Sequence, residues 1–170
     1  MKRHLFYAAV LGILSLSSTL SAQCPQPEQT PEASALSPVA KAISELPAVC
    51  GTLNTTADYY IYLYSAGWCG PCRRIMPQIV QLYKDTFSKE KRVEIILLSA
   101  DVNSDEAKKY VEHYDVGFYT IPARNNPQAD NLPGAYQVRS IPHCIAVDKE
   151  GNRLFAGHAS LLFRNLDKLK

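Results

Sequence analysis

No stripe of lysine and arginine runs along this sequence, so the electrostatic footprint of a nucleic-acid-binding protein is missing. The charge that is present nearly cancels, with 18 basic side chains against 16 acidic ones. Lys2 and Arg3 account for the excess, and 18 − 2 = 16 bases against 16 acids leaves the rest of the chain neutral. No internal repeat is visible, which gives no basis for a repeat array. Acids are absent before Glu28, and the apolar run there, Leu5 to Leu16, is too short to span a bilayer comfortably. Preceded by Met1-Lys2-Arg3-His4 and followed by small and polar residues up to Ala22, that run reads as an export signal, residues 1–22, cleaved after Ala22. A buried N-terminal helix explains neither the basic start nor the missing acids. What remains has ordinary globular composition, 46% hydrophobic and 20% charged over 170 residues, enough for one packed domain with accessories.

Cys24 leaves the maturation open between two forms. Ser21-Ala22-Gln23-Cys24 is a loose match to a bacterial lipoprotein signal, which would make Cys24 a lipidation site and anchor the chain to a membrane. The alternative, placed ahead of it, is a simple periplasmic or secreted form. Both put the folded part outside the cytoplasm, where disulfides persist. Residues 23–38 hold Pro25, Pro27, Pro31 and Pro38 without apolar periodicity and read as a tether. The folded domain is therefore expected over residues 39–170.

Within it, Val39, Ile43 and Leu46 fall at helical spacing, ended by Pro47. Tyr59 to Ser65 is an uncharged apolar run suited to a central strand buried on both faces. A helix is expected from Cys69 to about Phe87, kinked at Pro77, then a buried strand at Val93 to Leu98. Asn103 and Glu106 form a loose capping pair for a helix to about Tyr114. A loop-rich insert from Gly117 to Gly134 includes a short strand at Phe118 to Ile121, and Leu132 to Tyr136 suggests a turn of helix. A hairpin turns at Asp148-Lys149-Glu150-Gly151, and a helix from Ser160 to Leu169 closes the chain. Helices alternating with strands, then a hairpin, imply an α/β domain with a central mixed sheet covered by helices on both faces.

Chemistry concentrates at Cys69-Gly70-Pro71-Cys72, at a strand-to-helix junction. Disulfide exchange needs a thiolate to attack and a second thiol to resolve the mixed disulfide. The free N–H groups and dipole of the helix N-terminus favour an anion on the first cysteine. Cys69 is therefore expected to be the exposed nucleophile and Cys72 the buried resolving thiol. The spacing alone fits half a zinc site or a structural disulfide equally well.

Trp68-Cys69-Gly70-Pro71-Cys72-Arg73 with Pro77, and downstream Val138-Arg139-Ser140-Ile141-Pro142, resemble the two active-site segments of the thioredoxin superfamily. The likeness covers about Tyr59 to Ala156. Within the superfamily, Tyr62 to Cys69 and Phe118 to Pro122 are similar to the tryparedoxin/nucleoredoxin group and to the periplasmic thioredoxins of cytochrome c maturation. The resemblance implies a thioredoxin fold and a cis-proline at Pro142. It further implies a substrate groove supported by Trp68, Gly70, Pro71, Ile141 and Pro142, and a redox-active Cys69–Cys72 disulfide. It also implies protein dithiols and disulfides as substrates, an upstream electron donor such as a membrane thiol reductase, and neither cofactor nor metal. Gly-Pro between the cysteines and Ile141 before Pro142 follow the pattern that in this family accompanies reducing behaviour.

Two positions depart from the family pattern. Leu63 stands where thioredoxins hold a buried aspartate that assists the second cysteine, and His143 stands where threonine is frequent. Cys144 is expected to be an inert buried thiol and Cys50 a free turn thiol, a Cys50–Cys144 bridge being the alternative. His113, His143 and His158 are expected at the surface. Readings kept beside the reductase are an oxidase or isomerase, a non-catalytic binding module, and a metal chaperone using Cys69, Cys72 and His143.

Overall fold

The computed structural model describes residues 36–115 and 117–170. The export signal at 1–22, Cys24, and the tether up to residue 35 lie outside the described residues. Five strands form one sheet: β1 (Tyr59–Ser65), β2 (Val93–Ser99), β3 (Tyr119–Pro122), β4 (His143–Asp148) and β5 (Arg153–His158). Their order is β3-β2-β1-β4-β5. β1 runs parallel to β2, and β2 to β3, while β4 is antiparallel to both β1 and β5, so the sheet is mixed as the sequence implies. Among the described residues six α-helices accompany it: α1 (Pro38–Ser44), α2 (Gly70–Leu82), α3 (Ser88–Glu90), α4 (Ser104–His113), α5 (Pro127–Asp130) and α6 (Leu161–Arg164).

The uncharged β1 run has a structural cause. Alternate side chains of a strand point to opposite faces, and both faces of β1 are covered. Ile61 and Leu63 join Met76, Ile79 and Val80 of α2, Tyr110 and Val111 of α4, and Leu162 of α6. Tyr60, Tyr62 and Tyr64 join Val39, Ala40 and Ile43 of α1 and Ala129 of α5. Each large side chain buried in this way contributes roughly 1.5–3 kcal/mol, and β1 supplies both clusters.

Several boundaries differ from expectation. α1 begins at Pro38, because Ser37 caps it through its hydroxyl and proline suits the first helical position. The long helix expected to Phe87 is regular only to Leu82, and a π-helical turn at Tyr83–Phe87 and the short α3 follow. α2 continues past Pro77. Proline has no N–H to give the carbonyl four residues earlier, that of Arg73, and the Tyr114 hydroxyl donates to that oxygen instead at 3.2 Å. The turn of helix expected at Leu132 to Tyr136 lies earlier, at α5, where Asn126 caps and Pro127 opens it. The closing helix breaks at Asn165 into α6 and a 3-10 turn at Leu166–Leu169. No helix among the described residues is long and apolar enough to cross a membrane.

Candidate redox site

The loop from β1 to α2 carries the cysteines past the carboxyl end of the central strand. Cys69 is the N-cap of α2, and its Sγ accepts the backbone N–H of Cys72 at 3.2 Å. The two cysteines form a disulfide, with Cα atoms 5.2 Å apart. Cys72 is fully buried and Cys69 is 5% exposed, so the attacker expected to be exposed is largely covered by Ala66, Ala100 and Ile141, which pack around the pair. Cys69 remains the more accessible residue of the two. The Ile141–Pro142 peptide is cis, and the Ile141 carbonyl oxygen lies 3.9 Å from Cys69 Sγ. Trp68, next to Cys69 in the chain, is 61% exposed.

A buried carboxylate holds this loop. Asp101, 5% exposed, accepts the Gly67 N–H at 2.9 Å and the Ser99 hydroxyl at 2.8 Å. Trp68 Nε1 donates to the Ala100 carbonyl at 3.2 Å, and Ala100 N–H donates to the Ser65 carbonyl at 2.9 Å. The Ser65 and Tyr110 hydroxyls are 2.9 Å apart and buried. The sequence reading missed Asp101. Its signal is an acid just beyond the apolar run Ile95 to Leu98, at the end where the motif-bearing loop emerges.

Leu63 is 1% exposed and pairs across the sheet with Leu97 on one side and Cys144 on the other, so neither of its direct cross-strand neighbours is an acid. His143 departs from expectation. Its Nε2 lies 2.7 Å from the Tyr136 hydroxyl, Tyr64 meets it edge-on, and it is half-buried. Burial, and then the neighbouring His158, hold the ring below the usual histidine pKa. Among the described residues no three His, Cys, Asp or Glu side chains gather to hold a metal ion, so the Cys69, Cys72 and His143 set of the chaperone reading is not assembled. His113 and His158 are exposed. Cys50 is disulfide-bonded rather than free, and not to Cys144, which is a buried free thiol whose pKa burial pushes up to about 12.

A mixed sheet sandwiched by helices, with a CxxC disulfide at a helix N-terminus facing an Ile-Pro turn, defines the class as a thioredoxin-like fold with a redox centre. The model of the Thioredoxin-like family matches residues 57–153, more than half of the chain, and the chain belongs to that family. Among curated relatives it is 33% identical over 88 residues to probable nucleoredoxin 1 of Arabidopsis thaliana, covering 52% of this chain and 15% of that protein. It is 36% identical over 84 residues to the thiol-disulfide oxidoreductase ResA of Bacillus cereus, covering 49% of this chain and 45% of the relative. The chain thus spans less than half the length of these relatives. Among solved structures, tryparedoxin I from Leishmania major superposes with a TM-score of 0.55 at 27% identity, over 66% of this chain and 76% of the other. Thioredoxin from Wuchereria bancrofti gives 0.51 at 25% identity, over 58% and 67%.

Proposed function

We propose that this chain is a thiol–disulfide oxidoreductase that reduces disulfides of exported proteins through Cys69 and Cys72. The observation that carries the reading is the placement of Cys69 Sγ as the cap of α2, accepting the Cys72 N–H and bonded to Cys72. In the reduced protein that position favours a thiolate on Cys69. The thiolate attacks one sulfur of the client disulfide, forming a mixed disulfide and releasing a client thiolate. Cys72 then loses its proton and attacks Cys69 Sγ, which releases the second client sulfur and leaves the Cys69–Cys72 disulfide. The client gains two electrons and two protons, and an upstream dithiol, such as a membrane thiol reductase, returns them to the cysteines. Trp68, Gly70, Pro71, Ile141 and Pro142 shape the groove in which the client lies.

The export signal read at residues 1–22 supports action outside the cytoplasm, and lipidation of Cys24 would hold the domain at a membrane. The similarity to a thiol-disulfide oxidoreductase of Bacillus cereus supports the reaction class. Insulin reduction in the presence of dithiothreitol tests the reading: the wild-type chain accelerates it and Cys69→Ser abolishes the acceleration. Equal rates for the two proteins would remove the reading. Equilibration with glutathione tests the direction, and a potential near the strong oxidants would exclude a reductase. Cys72→Ala, which cannot resolve, should accumulate clients as mixed disulfides on Cys69.

A further inference from the structure

Beside the redox site, α2 and the end of β5 enclose a cleft of about 290 Å³ lined by Pro71, Arg74, Ile75, Gln78 and His158. The helical members recur at spacings of three and four, so they share one face of α2. Pro71 lies between the two cysteines, which sets the cleft against the disulfide itself. A Cβ built on Gly70 would stand 3.7 Å from Arg74 Nη1, so the guanidinium lies alongside the motif.

The polar groups of this cleft are one-sided. Arg74 carries five N–H donors and no acceptor. No carboxylate lines the cleft, and among the described residues Arg74 has no ion pair. His158 Nδ1 accepts the Ser160 backbone N–H at 3.2 Å and lies 2.9 Å from the Ser160 hydroxyl. A backbone N–H can only donate, so the neutral ring carries its proton on Nε2, and the protonated ring donates from Nε2 as well. Gln78 can present its amide N–H groups, while Pro71 and Ile75 form an apolar floor. Donors around an apolar floor match a carboxylate on a short aliphatic stem. On the other flank of the loop, a cleft of about 250 Å³ holds Arg73, Lys109, His113 and Glu106. There Lys109 already binds Glu106 at 2.8 Å, so part of its charge is matched within the protein.

We propose that the Pro71–Arg74–Gln78–His158 cleft takes the side chain of an aspartate or glutamate flanking the client's disulfide, which makes proteins with acidic residues beside their cystines the preferred substrates. The proposal rests on the reductase reading above. It is tested with two disulfide-bridged peptides that differ only in a glutamate or a lysine beside one cysteine, reduced by the full chain. The wild-type protein should favour the glutamate peptide by about three- to tenfold in kcat/KM at low salt, and high salt should shrink the ratio. Arg74→Glu should invert the ratio and Arg74→Gln should bring it close to one. Because the readout is a ratio within each protein, general losses from a substitution cancel. Equal rates on both peptides in the wild type, or a preference that survives both substitutions, would overturn the proposal while leaving the reductase reading in place. Failure to reduce either peptide would overturn both.

Discussion

Glu94 offers a measurement that tests the core of this structure independently of its chemistry. It lies on β2 opposite Tyr60 of β1, is 4% exposed, and its Oε1 has no hydrogen-bond partner among the described residues. Burial pushes its carboxyl from the ordinary 4.5 up to about 8. In the unfolded chain the group loses its proton near the ordinary value, whereas in the folded protein it keeps the proton until about pH 8. Folding therefore takes up a proton between these two values, and the unfolded state binds fewer protons there. Stability is highest below the unfolded value and falls as pH rises, by about 1.4 kcal/mol per pH unit, until the folded carboxyl also ionises. Over the whole window the loss approaches about 5 kcal/mol, and by about pH 7 it has reached about 3 kcal/mol. That is a large fraction of the 5–15 kcal/mol (roughly) available to a domain of this size.

Glu94→Gln keeps the shape of the protonated carboxyl and removes its titration. The variant should match the wild type within about 1 kcal/mol near pH 4, exceed it by about 3 kcal/mol near pH 7, and exceed it by about 5 kcal/mol near pH 9. Tyr60 and Tyr83, the titratable neighbours that feel this charge, are themselves raised to about 12 and stay neutral across that range. Groups common to both proteins cancel in the difference. Urea unfolding at several pH values, with an unchanged m-value, gives the comparison. Two stability curves that run parallel from acid to alkaline pH would refute the buried, unpartnered carboxyl.

Two further substitutions probe the site's supports, and a labelling experiment probes the core. Tyr114→Phe removes the donor to the Arg73 carbonyl that Pro77 leaves unpaired, and should cost about 1–2 kcal/mol in urea melts; no change would mean that water already serves that oxygen. Asp101→Ala removes the acceptor of the Gly67 N–H in the motif-bearing loop and of the Ser99 hydroxyl at the end of β2, and should lower stability by about 2–4 kcal/mol and slow insulin reduction as well. A loss of stability without any change in reduction rate would separate Asp101 from the redox loop. Cys144, buried and with its pKa at about 12, should resist iodoacetamide in the folded chain and be labelled only after unfolding, read by mass spectrometry of its peptide; rapid native labelling would contradict its burial.

Those parts of the fold governed by local pattern were legible from the sequence. The uncharged run at Tyr59–Ser65 signalled a strand covered on both sides, and Asp148 to Gly151 signalled a hairpin, because neither requires knowledge of distant partners. The CxxC at a strand-to-helix junction was legible for the same reason, since the cap of α2 is its first cysteine. What escaped depends on contacts between segments far apart in the chain. Arg73 and Tyr114 are separated by 41 positions, yet their contact lets α2 continue past Pro77. Gly67 and Asp101 are 34 positions apart, and His143 is half-buried against Tyr136 and Tyr64, the latter 79 positions earlier. The α5 error is of another kind: Asn126 and Pro127 were a readable cap and first turn, outweighed by the apolar residues from Leu132 onward.

The absence of a buried acid at Leu63 bears on the second half of the proposed reaction. Cys72 must lose its proton before it can attack Cys69 Sγ, and a thiol with no exposed surface is disfavoured as an anion by burial. Leu63 and Leu97 stand side by side in the paired strands, so no carboxylate from that part of the sheet receives the proton. The helix N-terminus gives Cys72 little help. The Cys72 N–H points to Cys69 Sγ, so the helix N-terminus serves the attacked sulfur more directly than the attacking one. The departing client thiolate, released in the first step close to this pair, is itself a base of matching strength. If it takes the Cys72 proton, resolution depends on the client's leaving thiol. Across a series of unsymmetrical disulfides that keep the sulfur retained on Cys69 the same and differ only in the first leaving aryl thiol, of falling pKa, the resolving step should then slow while the initial attack by Cys69 accelerates. Stopped-flow tryptophan fluorescence reads both steps through Trp68, the residue next to Cys69. Parallel acceleration of the two steps would show that solvent, and not the client, removes the proton.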